Sequence, residues 1–201
     1  MTRGLATVWS LLFLGLSAAG LSGCGSAVIG AAATVGVHAA QDRSLGDAVD
    51  DAGILLEINQ QMLQSSEVLF RKVDVDVVEG RVLLTGSVPS PDERIAASRI
   101  AWQAKGVQEV LNELQVQDTS SLSDYARDTW IATQLRGAIL GDQRIFDINY
   151  NIDVVNGVVY LFGIARTDEE LDALVSHART IKGVKKVVSH VSVRPPAKPA
   201  S

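Results

Sequence analysis

The fold is most tightly restricted by a repeat. The stretch EGRVLLTGSV at 79–88 aligns with NGVVYLFGIA at 156–165, an offset of 77 residues. With that offset held and no gap, Ile54 meets Ile131, Ile58 meets Leu135, Leu63 meets Leu140, and the KGV of 105–107 meets the KGV of 182–184. Two copies of one small domain therefore follow one another, at 48–118 and 124–194, joined by a linker at 119–123. With 47% hydrophobic and 20% charged residues the composition is globular, so each copy can build an apolar core.

Both copies carry the same succession of periods. Ile54, Ile58 and Met62, like Ile131, Leu135 and Ile139, recur every four residues and predict a helix with one apolar stripe. Val73, Val75 and Val77 alternate with Asp74 and Asp76, as Tyr150, Ile152 and Val154 alternate with Asn151 and Asp153, which predicts a half-buried strand. Glu79-Gly80 and Asn156-Gly157 then fit a two-residue hairpin turn, and Asn-Gly suits type I′, where both central residues need positive φ. The second strand is RVLLTGSV or VVYLFGIA. A second helix starts near Pro91 or after Thr167, an N-cap residue followed by acids that complement the helix dipole. A last strand runs through Val110 and Val116, or Val187 and Val193. The expected class is α+β, with two tandem αββαβ modules, each a three-stranded sheet with both helices on one face. The other face of each sheet is left for water, a partner or the sister module.

Ahead of the repeat, Arg3 precedes the apolar run LATVWSLLFLGLSAA, which has signal-peptide length and is too short for a comfortable membrane span. The run leads into Leu21, Ser22, Gly23 and Cys24, the sole cysteine of the chain. This order resembles the lipobox of bacterial lipoproteins. The resemblance implies a signal peptide over 1–23 and Cys24 as the first mature residue, with acyl chains on its thiol and amino group. Because Gly25 rather than Asp follows, it also implies the periplasmic leaflet of the outer membrane. A lone buried cysteine next to an ordinary cleavage site is the alternative. The body of the chain then has no disulfide, although an exported protein could form one. Residues 24–47 read as a lipidated N-terminus and flexible tether, and 195–201 as a disordered tail.

The αββαβ order, the glycines Gly86 and Gly163 in the second strand, and the GV that opens the last strand resemble BON domains, bacterial modules named for osmotically induced and nodulation-type proteins. Two such domains behind a lipobox resemble the dual-BON outer-membrane lipoproteins of Gram-negative bacteria. SLGDAVDD before the first module and DTWIATQLRGAIL in the second are the most similar stretches. The resemblance implies attachment to the outer membrane, binding of an anionic, phosphatidylglycerol-like phospholipid by the second domain, a part in envelope integrity, and no enzymatic activity.

The repeat also tests individual residues, because a side chain needed by the shared core should be apolar in both copies. Trp130 aligns with Gly53, so the core does not need it. It lies about 100° around the helix from Ile131, with Arg127 one turn before it and Gln134 and Gly137 one and two turns after. An exposed Trp beside a cation suits a membrane interface, and these four are the candidate lipid-binding residues. Filling the seam between the modules is the alternative use of Trp130.

Charge separates the copies in the same direction. The stretch 50–118 holds six basic against twelve acidic residues and 124–194 nine against nine, within a chain of net charge −5. From His177 onward Arg179, Lys182, Lys185, Lys186, Arg194 and Lys198 run without an acid, a basic surface toward an anionic membrane. Nucleic acid is the other reading of such a strip, and export argues against it.

Tyr160, Phe162 and Ile164 replace Leu83, Thr85 and Ser87, and alternation puts them on the sheet face that the helices leave open. They are expected to dock on the first module, against Phe70 or Trp102, or to recruit a periplasmic protein partner. Gly163 is expected to permit close helix–sheet packing. Catalysis finds little support. His38, His177 and His190 are scattered without metal-ligand spacing, and Asp74 with Asp76, or Asp168 with Glu169 and Glu170, suit solubility and capping. No phosphate loop or nucleophile elbow occurs, and neither cofactor nor metal is expected.

Overall fold

The structure is a computed structural model that describes residues 45–117 and 122–194. Cys24, the signal segment, the tether through residue 44, residues 118–121 and the tail from 195 lie outside the described residues.

The first domain runs α1 (Leu45–Ser65), α2 (Glu67–Lys72), β1 (Val73–Val78), β2 (Arg81–Val88), α3 (Pro91–Gln103), β3 (Glu109–Asn112) and β4 (Gln115–Val116). The second runs α4 (Leu122–Leu140), a 3-10 turn (Asp147–Asn149), β5 (Tyr150–Val155), β6 (Val158–Ala165), α5 (Asp168–Thr180) and β7 (Lys186–Val193). In both, the first two strands form an antiparallel hairpin and the last joins parallel to the second, after the crossover helix that a parallel pair requires. The order in space is β1-β2-β3, with β4 also on β2, and β5-β6-β7.

Local chemistry accounts for the boundaries. Ser90 and Thr167 accept the backbone N–H of Glu93 and Glu170, capping α3 and α5, and Pro91 sits at the first turn, where a missing N–H costs nothing. Glu79 and Gly80 have φ of 54° and 71°, Asn156 and Gly157 of 53° and 81°, as a type I′ hairpin demands. Each helix stripe closes a separate core: Ile54, Ile58 and Met62 over Val82 and Leu84, and Ile131, Leu135 and Ile139 over Val159 and Leu161.

Two details depart from the sequence reading. The last strand of the first domain is split, because Asn112 turns its side chain to the Arg94 carbonyl and accepts the Leu114 N–H, drawing that group off the ladder while Leu114 drops into the core. Gly86 and Gly163 serve backbone rather than helix approach. With φ of 121° and 145°, each lies where a Cβ would collide with the carbonyl oxygen of Lys72 or Asn149, just before the first strand of its own sheet.

Candidate functional site

Helix α4 buries Ile131, Leu135 and Ile139 and turns its opposite side outward. Trp130 is 47% exposed there, and Arg127, Gln134 and Gly137 are exposed with it. The structure thus brings the four sequence candidates onto one outer face. Arg127 is paired with Asp124 at 3.2 Å, an exposed contact that steadies the guanidinium more than it stabilises the fold. The hydroxyls of Thr129 and Thr133 donate back to the carbonyls of Tyr125 and Thr129 at 2.9 and 2.8 Å, which spends their polarity inside the helix. At Gly53, the counterpart of Trp130, a Cβ would meet nothing within 4 Å, so no neighbour demands that the position be small. Leu140, 68% exposed and about 80° around the helix from Trp130, extends the apolar part of this side. Comparing the copies could not single it out, because its counterpart Leu63 is exposed too.

What holds this helix against the sheet was not read from the sequence. Asp128 accepts the N–H groups of Asn156 and Gly157 at 2.6 and 2.8 Å, and its counterpart Asp51 accepts those of Glu79 and Gly80 at 2.8 and 2.9 Å. A carboxylate in the second turn of each first helix therefore clamps the hairpin turn, satisfying two donors that no ladder reaches. The signal was present as an Asp 28 residues before each turn.

Tyr160, Phe162 and Ile164 are 3%, 0% and 4% exposed. They form one apolar cluster with Val78 and Leu83, so the two sheets face each other. The face offered by sequence to a protein partner is thus not open: the first module's sheet covers it. Nor do Phe70 and Trp102 take part in covering it, since both are exposed, at 43% and 54%. The seam has a polar rim. Arg81 stacks 5.3 Å from the Phe162 ring and donates to Ser192 and to the His190 carbonyl, Thr85 donates to Asp153 at 2.8 Å, and Gln115 donates to Val155 and Tyr160. Counterparts meet each other there, as Glu113 does His190 at 2.9 Å and Asp76 does Asp153, the arrangement expected near the twofold axis of a dimer. Burial, then Asp153, pushes the Asp76 carboxyl up to about 8, against a smaller opposing pull from Arg136. Asp74 is raised for the same two reasons.

Several other polar groups hold the fold together. His177 pairs with Asp142 at 2.9 Å, and Arg144 together with His177 holds that carboxyl well below the usual range. Glu170 accepts the N–H groups of Phe146 and Arg166, closing the loop before the 3-10 turn on α5. Arg194 pairs with Glu79 of the first domain, so it does not add to a basic surface on the second. Among the described residues no group of three or more His, Cys, Asp or Glu is placed to hold a metal ion, and no helix is long and apolar enough to cross a membrane.

This architecture has relatives. The BON domain family matches residues 50–118 and 127–195. The chain is 43% identical over 147 residues to an "Uncharacterized protein in gshII 5′region" of Anaplasma centrale, covering 73% of this chain and 96% of that one. It is 32% identical over 169 residues to the outer membrane lipoprotein DolP of Haemophilus influenzae, covering 84% and 87%. A 21 kDa hemolysin of Actinobacillus pleuropneumoniae is 29% identical over 152 residues, covering 75% and 77%. With both halves matched and the DolP relation spanning most of each chain, the protein belongs to the BON-domain family as a dual-BON, DolP-like member.

Proposed function

We propose that this protein is a periplasmic lipoprotein of the cell envelope, held on the outer membrane by acyl chains at Cys24, whose second BON domain binds anionic phospholipid through the outer face of α4. The relation to an outer membrane lipoprotein supports the location. The observation that carries the binding role is Trp130, a large indole left exposed where the sister domain has a glycine and where neither core uses it. An indole at headgroup depth, with Arg127 on the same face for phosphate, is a common interfacial pairing.

The anchor and this face act together. The acyl chains hold the protein on the leaflet, and the second, weaker contact makes its distribution depend on lipid composition. No step of this role involves catalysis.

Sedimentation with vesicles tests it, using residues 25–201, which contain every residue of the three apolar clusters and lack the anchor. Phosphatidylglycerol vesicles should carry the protein down and phosphatidylcholine vesicles should not. Trp130→Glu should abolish pelleting at an unchanged melting temperature. Equal behaviour of parent and folded variant sinks the assignment.

A further inference from the structure

We propose that Lys182 and Lys185, on the loop between α5 and β7, complete this site by receiving the lipid phosphodiester beside Trp130; the inference rests on the lipid reading above. It starts from the first domain, where α1, the β1–β2 turn and the loop after α3 enclose an open cleft of about 740 Å³. Its charged lining from that domain is Asp47, Asp50, Asp51, Glu57, Glu79 and Lys105.

The same three segments are locked together in the second domain by the same contacts. Asp51 and Asp128 clamp the two turns alike. The Gln108 N–H donates to the Gly80 carbonyl at 2.8 Å, and the Lys185 N–H to the Gly157 carbonyl at 2.8 Å. A Cβ on Gly106 would lie 3.3 Å from the Ile54 side chain, and one on Gly183 3.4 Å from Ile131. Residues 77 apart therefore stand at equivalent places in the two domains.

Their chemistry is inverted. Asp50 becomes Arg127, Glu57 becomes Gln134, Glu79 becomes Asn156, Gln108 becomes Lys185, and Lys105 is kept as Lys182. Five acids against Lys105 and the second domain's Arg194, which pairs with Glu79, thus give way to Asp124 and Asp128 against Arg127, Lys182 and Lys185. Both remaining acids are engaged, Asp128 by the turn and Asp124 by Arg127, so the two exposed lysines set the sign of the charge there. Lys185 donates to the Asn156 carbonyl at 2.8 Å, which holds its ammonium beside the turn that Asp128 clamps. Trp130 occupies the place of Gly53, itself part of the first cleft's lining. Ammonium groups for a phosphate, next to an indole for the start of the acyl region, are what a membrane-embedded phosphodiester presents a use for and a soluble anion does not.

The test compares residues 25–201 with Lys182→Gln, Lys185→Gln and the double variant on phosphatidylglycerol vesicles, with Lys105→Gln as the control in the acidic cleft. Each single change should weaken binding about fivefold and the pair about 25-fold, from the usual worth of a lysine at an anionic surface. The double variant should also show a shallower salt dependence. Lysine-to-arginine changes should keep most of the affinity, and Lys105→Gln should leave it nearly unaltered. A folded double variant that binds like the parent overturns the inference and leaves the Trp130 reading standing. A parent that ignores the vesicles overturns both. Binding of sn-glycerol 3-phosphate in solution, undiminished by Trp130→Glu, overturns the commitment to a membrane headgroup.

Discussion

The two BON domains share their frame and differ in what they show to solvent. Position for position they repeat the carboxylate clamp on the hairpin, the strained glycine of the second strand and the helix stripe over the sheet. On the outer side of the first helix one copy has Gly53 within an acidic cleft, whereas the other has Trp130 with Arg127, Lys182 and Lys185. Across the seam the first domain supplies the smaller Leu83 and Thr85, and the second fills the space with Tyr160 and Phe162. A duplicated fold thus separates what holds the chain from what the chain exposes. Differences buried at the seam belong to assembly, and differences left in water are free for recognition.

The shared frame is broken most severely at its glycines. Gly86→Ala or Gly163→Ala puts a side chain at strongly positive φ against a carbonyl oxygen, and the first strand of that sheet must move away. Each should cost about 3–5 kcal/mol in urea unfolding. A similar loss in both establishes that the domains rely on the same approach, and a cost under about 1 kcal/mol in either would mean that its strand relaxes easily.

These glycines also mark how far the sequence could be read. The repeat, the αββαβ order, the Asn-Gly turn and the helix stripes were legible because hydrophobic period and turn chemistry are local signals. So was the oddity of Trp130, since its counterpart Gly53 is printed in the same chain. The Asp128 clamp was not, because an Asp in the second turn of an amphipathic helix reads equally well as an ordinary solvated residue. The seam was half legible. Alternation placed Tyr160 and Phe162 on the open face, yet nothing local says that Leu83 rather than Phe70 or Trp102 would meet them, because that choice depends on how two rigid sheets fit.

The seam itself yields the next largest effect. Asp76 meets its own counterpart Asp153, and in the folded chain its carboxyl is pushed up to about 8, whereas in the unfolded chain it titrates near the ordinary 3.8. Between those values the folded protein holds a proton that the unfolded one has released. The associated stability is fully present below about pH 4, declines as pH rises, and is gone once pH has passed about 8. Asp76→Asn keeps a donor toward Asp153 and removes the titration. Its advantage over the parent should grow from near zero at pH 4 to about 1–3 kcal/mol at pH 8, less than the full shift would give because the group is only partly buried. Paired urea titrations measure it, and a gap that stays constant with pH would show that the two carboxyls do not share a proton across the seam.

The smallest effect is the sharpest on recognition. Gly53→Trp gives the first domain the indole of the second at a place where a Cβ meets nothing within 4 Å, and replacing a helical glycine should stabilise α1 by about 0.5 kcal/mol rather than disturb it. In a Trp130→Glu background this variant should still ignore phosphatidylglycerol vesicles, because the transplanted ring stands beside Asp50 and Glu57, which repel a phosphate before the ring can reach the interface. Adding Asp50→Arg, Glu57→Gln and Gln108→Lys should restore part of the binding. If the indole alone restores it, exposure of an aromatic ring is sufficient and the charge of the cleft is incidental. If the full set restores it and the indole alone does not, recognition resides in the pairing of ring and cations, and the two domains differ in function only by a handful of exposed side chains on one frame.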